Sequence, residues 1–161
     1  MKLFLSLILI SIVTLKLHTQ TNQILPLKKI DNVLLGITPL DSLPIVFVEN
    51  SVDLQTYTAI VNEKLPNLTL CNTGECKTEL LLVYNVFHDR HNLLYGTIEL
   101  DCRRWASISE TGFSGFFSVW TARNSIIVNE HNTLDIKGVL NRYVRDLVDN
   151  FAQDYNKENQ N

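Results

Sequence analysis

No set of histidines, acids and cysteines in this 161-residue chain has the spacing of a metal site, and no catalytic motif stands out. The chain has three cysteines, without a second pair or a close histidine pair to complete four zinc ligands. Internal repeats and low-complexity tracts are absent, which excludes solenoids and linkers. An excess of positive charge is missing too. Removing Lys2 and Lys16 with a leader leaves 12 basic residues against 17 acids. A mildly acidic surface does not suit nucleic acid or anionic lipid. The hydrophobic fraction of 45% and charged fraction of 19% are those of a folded domain.

The first residues lack acid altogether. Lys2 gives a positive start, and Leu3 to Leu15 is apolar except for Ser6, Ser11 and Thr14. A helix of that length reaches roughly 20 Å, short of a bilayer core of about 30 Å. The segment therefore reads as a signal peptide over 1–21, with Thr19-Gln20-Thr21 as the nearest match to a cleavage site crowded by Lys16 and His18, and an uncleaved N-terminal anchor as the alternative. Cys71 is the first cysteine, so a lipid anchor at the cleavage point is not expected. The reading is an exported protein, periplasmic or extracellular, with no stable transmembrane span after processing.

Residues 22–44 read as an extended N-terminal arm containing Pro26 and the pair Lys28-Lys29, and Val33 to Ile37 is a short apolar stretch within it. Ile45 to Val48 is β-branched and predicts a buried strand. Asn50-Ser51 offers a helix cap, and Leu54, Tyr57, Val61 and Leu65 recur on one helical face until Pro66. A short strand is expected around Leu68 to Cys71. Leu80, Leu82, Tyr84 and Val86 share one face of a strand, and His88 to Asn92 forms a hairpin loop. From Tyr95, Ile98, Leu100, Cys102, Ala106 and Ile108 face the core while Thr97, Glu99, Asp101 and Arg103 face away. After a turn over Ser109 to Gly115, Phe116 to Val128 is a further strand with Trp120, Ala122, Ile126 and Val128 on a common face. A final helix follows, with Asn132 or Thr133 as cap and Asp135 as capping-box partner. Ile136, Leu140, Tyr143, Leu147, Phe151 and Tyr155 form its apolar stripe.

The expected fold is α+β: a mostly antiparallel sheet of four to five strands with two helices packed on one face, in the order β-α-β-β-β-β-α. The single domain spans 45–156, and 157–161 is a frayed tail.

Tyr95-Gly96-Thr97-Ile98-Glu99-Leu100, a turn with Thr111-Gly112, then Val119-Trp120 resembles a run in small exported bacterial proteins. Val144 to Phe151 with Asp154-Tyr155 extends the likeness. The element order is also similar to envelope accessory domains, such as the N-terminal domain of TolB and the periplasmic domain of the curli secretion lipoprotein. That resemblance implies an interaction module and carries no functional residues with it.

Several residues merit a site reading. Cys71 and Cys76 flank Asn72-Thr73-Gly74-Glu75; if their flanks run antiparallel, a disulfide could close the turn, the alternative being free thiols. Cys102 reads as a buried thiol. His88-Asp89-Arg90-His91 offers two histidines for a metal, with Glu130 or His131 as a third ligand, although a solvated turn explains the same residues. Alternation puts Arg104 on the core face, so either a bulge turns it outward or Asp146 or Asp149 pairs with it. Trp105 and Trp120 are candidates for a contact surface on the open side of the sheet, with buried packing as the other reading of Trp120. The leading expectation is a non-catalytic interaction module of the bacterial envelope with an envelope protein as partner and no cofactor. The rival is a small metal-dependent or ligand-binding enzyme using the His88/His91 loop.

Overall fold

The structure, a computed structural model, describes residues 27–38, 43–72, 75–91, 93–109, 111–129, 131 and 133–159. The leader reading, Glu130 and the Asn132 cap fall outside these residues, as do the side chains of Thr133 and Asp135. The chain forms β1 (Asn32–Ile37), α1 (Ile45–Asn50), α2 (Leu54–Lys64), β2 (Thr69–Leu70), β3 (Thr78–His88), β4 (Leu93–Ile108), β5 (Phe113–Asn129) and α3 (Thr133–Asn159). The class is α+β, with a five-stranded mixed sheet in the order β2-β1-β3-β4-β5. The β1 strand pairs in parallel with both β2 and β3, and the remaining pairs are antiparallel.

The three helices cover one face. Phe47 of α1 packs edge-on against Tyr84, with ring centroids 5.3 Å apart. The buried Tyr57 hydroxyl of α2 donates to the Leu80 carbonyl at 3.2 Å. The Phe151 ring of α3 meets Trp120 at 5.1 Å. The core between them contains Leu80 and Leu82 of β3, Ile98 and Leu100 of β4, Ile126 of β5, and Leu140, Val144 and Leu147 of α3. Each such side chain contributes about 1.5–3 kcal/mol on leaving water.

Two readings of the N-terminal half are corrected. Ile45 to Val48 is helical: Pro44 occupies the N-cap position, and its carbonyl accepts from Phe47 N at 2.9 Å and Val48 N at 3.1 Å. One turn of helix buries Phe47 and turns Ile45 to solvent, so the tertiary site for Phe47 outweighs the β preference of the branched residues. This helix makes the count three where two were expected. Asn50 and Ser51 close α1, donating to the Val46 and Val48 carbonyls at 2.7 and 2.8 Å. The cap of α2 is instead Asp53, whose carboxylate accepts from Thr56 N at 2.6 Å.

The segment expected as an extended arm holds β1, whose Val33, Leu35 and Ile37 turn to the core. Leu27 and Ile30 are buried as well, so the folded unit begins before 45. Its far end is also later than expected, because α3 continues to Asn159. That residue donates to the Leu27 carbonyl at 3.2 Å and accepts from Lys29 N at 3.1 Å, which holds the last turn against the N-terminal segment.

Candidate interaction surface

The side of the sheet away from the helices is built from alternate residues of β3, β4 and β5. On β4 and β5 its middle is polar and paired, while β3 contributes the half-buried Leu81 and Val83. Asp101, only 4% exposed, accepts from Arg103 Nε at 2.5 Å and from Ser118 Oγ at 2.6 Å. Glu99 faces Arg123 at 3.5 Å on the neighbouring strand. These carboxylates are therefore each matched by a cation, as ordinary cross-strand and same-strand pairing requires.

The two ends of this face are apolar. At one end Phe87, Tyr95 and Ile127 stand in a single cross-strand row, with Ile127 75% exposed. Phe87 and Tyr95 touch with centroids 5.9 Å apart. At the other end Trp105 and Phe116 are paired across β4 and β5, their rings 5.3 Å apart and nearly perpendicular. β3 ends its pairing with β4 at Thr78 opposite Arg104, apart from one bond from Trp105 N to the Lys77 carbonyl. Beyond that point β4 and β5 project as a two-stranded ribbon. Its other side carries the opposed pair Ile108 and Phe113, with Phe113 packed edge-on to Phe117 at 5.8 Å. The expectation that Ile108 is a core residue is corrected: alternation holds, but Ile108 lies beyond the end of the β3 pairing and is exposed. Trp105, Ile108, Phe113 and Phe116 are all exposed. Exposed apolar side chains on both sides of one projecting ribbon suit a contact surface.

The two tryptophans are on opposite sides of the sheet. Trp105 is on the open side; Trp120 is directed at α3, where its Nε1 donates to Asp154 Oδ2 at 2.9 Å. The reading of Trp120 as part of the open surface is corrected, and a bulge provides the reason. Cys102 is opposite Trp120 and Arg103 is opposite Ser118, so Val119 is an extra residue in β5. The insertion reverses the alternation between residues 120 and 116. Phe116 thereby joins Trp105 in solvent while Trp120 remains on the core side. The bulge expected near Arg103-Arg104 thus occurs in the partner strand, and Arg104 keeps its alternation with Cys102. Asp149 pairs with Lys64 at 2.8 Å, joining α3 to α2.

Cys71 and Cys76 are in bonding contact, with Cα atoms 6.2 Å apart. Their flanks are not the antiparallel strands expected. Cys71 follows β2 and Cys76 precedes β3, and β1 lies between those two strands. The pair fastens the crossover that carries the chain past β1. Cys102 is buried, and burial pushes its thiol up to about 12.

His88 and His91 are both exposed at the β3–β4 hairpin. Asp89 between them closes the turn, because one of its carboxylate oxygens accepts from His91 N at 2.7 Å and Leu93 N at 3.0 Å. Those bonds hold its carboxyl below the usual range. Among the described residues no three His, Cys, Asp or Glu side chains converge as a metal site.

A cleft of about 750 Å³ opens where the end of β1 meets α1, the start of α2 and α3. Thr38, Glu49, Asp53 and Lys137 are in its wall. Three charged residues there do not suit a carrier of small apolar molecules, and the Asp53 carboxylate is engaged as the α2 cap.

Sequence reasoning found Trp105 and missed its companions Phe113 and Phe116 and the row Phe87–Tyr95–Ile127. The row was available from the His88–Asn92 hairpin, which sets Phe87 opposite Tyr95. The Phe116 position depends on a bulge that strict alternation does not reveal.

No protein-family model matches the chain, and no curated protein does. A crystal structure of a minor lipoprotein from Acinetobacter baumannii is similar over 80% of this chain and 95% of that one, with 9% identity and a TM-score of 0.38. A likeness of that depth carries no function across. Among the described residues no helix is long and apolar enough to cross a membrane.

Proposed function

We propose that the chain is an exported, non-catalytic interaction module of the bacterial envelope, binding an envelope protein through the open side and projecting end of its sheet. The observation that supports this most is the exposed Trp105–Phe116 pair, with Ile108 and Phe113 on the reverse of the same ribbon. Rings already held against each other lose little freedom on binding, and aromatic anchors dominate many interfaces. The leader over 1–21 supplies the address, and the paired charges in the middle of the face supply a polar surround.

The test is site-specific photo-crosslinking in the native host. A photoreactive phenylalanine at Phe116 is expected to capture one envelope protein, and Trp105→Ala in the same chain to abolish that capture. The same probe at Gln153, exposed on α3, is expected to capture nothing comparable. Equal capture from both positions, or a chain that keeps its leader in the cytoplasm, would overturn the proposal.

A further inference from the structure

The β5 strand is the last strand of the sheet, and its outer edge has no strand beside it among the described residues. Long edges are usually blunted by lysine, proline or inward charge. β5 runs for 17 residues with no lysine, no proline and no acid, and Arg123 is its one charged side chain. Its only irregularity is the Val119 bulge. Such an edge offers unpaired amide and carbonyl groups to another strand.

The sequence of β5 says which strand fits. Ser118 and Val119 occupy one position, as they do opposite Arg103. On that count Phe116 and Ile127 are equally distant from Ala122, one on each side, and both are exposed on the open side of the sheet. A two-fold axis through Ala122 therefore sets Ile127 opposite Phe116 of a second copy, and Phe116 opposite its Ile127. The same axis places Arg123 against Thr121, Ser125 against the Ser118–Val119 position, and Asn129 against Ser114. Neighbouring registers fit worse. An axis at Arg123 opposes like charges, and one at Thr121 leaves Ile127 against Ser114.

We infer that β5 pairs antiparallel with β5 of a second copy of this chain, joining two sheets into one of ten strands. The two apolar ends of the open side, separate in one chain, then meet across the axis. Phe87, Tyr95 and Ile127 of one copy continue into Phe116 and Trp105 of the other. By symmetry this five-residue stripe occurs twice. An isologous contact of this type closes on itself and forms no filament. The inference does not rest on an envelope partner, because the open side remains open in the dimer.

Sedimentation velocity on the purified protein tests it. A dimer is expected, with a Kd raised about tenfold by Thr121→Lys, which sets lysine against Arg123 at two symmetric places. Thr121→Glu is expected to lower Kd. Thr121 is exposed and lies beside Asp101 in its own chain, so the lysine favours the fold while opposing the dimer. Loss of the dimer in that variant is therefore not a folding defect. Phe116→Cys combined with Ile127→Cys is expected to give a covalent dimer on non-reducing gels after mild oxidation. A protein that stays monomeric up to about 100 μM, where useful affinities would be saturated, overturns the inference. So does a dimer whose Kd ignores both Thr121 variants. In the photo-crosslinking test a dimer adds a self-adduct of twice the chain mass at Phe116, distinct from an adduct with an envelope protein, so the two readings fail separately.

Discussion

Trp105 and Phe116 meet across β4 and β5 with planes 80° apart, and both rings remain in solvent. Trp120, only a few positions further along β5, is packed between Phe151 and Asp154 of α3. The two indoles therefore predict opposite phenotypes. Trp105→Ala removes little buried area and is expected to change unfolding free energy by less than about 1 kcal/mol. Trp120→Ala opens a cavity under α3 and is expected to cost about 3 kcal/mol or more. Urea titration of the two variants checks this, and equal losses would contradict the assignment of sides.

The thiols provide a second check. With Cys71 bonded to Cys76 and Cys102 buried, the folded protein is expected to react with no alkylating reagent at mildly alkaline pH. Burial holds the Cys102 thiol near 12, so almost no thiolate is present under those conditions. Unfolding without reductant is expected to expose one reactive thiol, and unfolding with reductant all three. Intact-mass measurement after alkylation counts them directly. Three labels without reductant would rule out the bond. The loop it closes is short, so its loss is expected to cost no more than about 2 kcal/mol.

Legibility differed sharply between the two halves of the chain. From Leu80 onward the period-two pattern named the core residues Leu80, Leu82, Tyr84, Val86, Ile98, Leu100 and Cys102 and failed at Ile108, past the end of β3; the stripe named Ile136, Leu140, Leu147 and Phe151 of α3 but not Val144 and Val148. Long elements average over many residues, so one exception does not change the reading. Before residue 66 the elements are short. Ile45 to Val48 has β-branched residues and still forms a helix, since burying Phe47 against Tyr84 decides its conformation. Val33 to Ile37 is a continuous apolar stretch, Leu34 included, so a run this short just before Pro39 shows no alternation to read as a strand. The open surface was half legible for a different reason. Trp105 follows from alternation, whereas Phe116 needs the extra residue Val119, and a bulge is set by tertiary fit more than by local composition.

Gly96 is the tightest point of the sheet. A Cβ there would approach the Asn85 carbonyl oxygen to 1.9 Å, and the residue has a φ of +155°. Backbone of β3 is the obstacle, so no rotamer change relieves the clash. Gly96→Ala is expected to destabilise by about 2–3 kcal/mol, by separating β3 from β4 near Val86. The contrast is Gly112→Asn in the β4–β5 turn. That glycine has a φ of +67° with open space around it, a conformation asparagine tolerates. Thermal melts of the two variants should separate clearly, and a Gly96→Ala protein melting like wild type would refute the close approach.

The charge cluster joining α2 to α3 contributes to the pH dependence of stability. Arg145 Nη1 donates to Glu63 at 2.8 Å and holds that carboxyl below its ordinary value of 4.5. The backbone bond from Thr56 holds Asp53 below 3.8 in the same way. A depressed carboxyl stabilises the fold above its ordinary value, and that contribution is lost as pH falls through the folded value. Lys64 has the opposite sign: its bond to Asp149 raises it above 10.5, so its contribution is present below that value and is lost as pH rises further. The buried Tyr57, also raised, adds to the alkaline loss because the unfolded phenol ionises first. Stability is therefore expected to be flat in between and to fall on both sides. Glu63→Gln should lower Tm near neutral pH and leave it unchanged in strong acid, where the native carboxyl is already protonated. Lys64→Met should shrink the alkaline fall without removing it, since Tyr57 still contributes. A Glu63→Gln protein with the wild-type acid limb would show that the Arg145 contact adds nothing to the docking of α2 on α3.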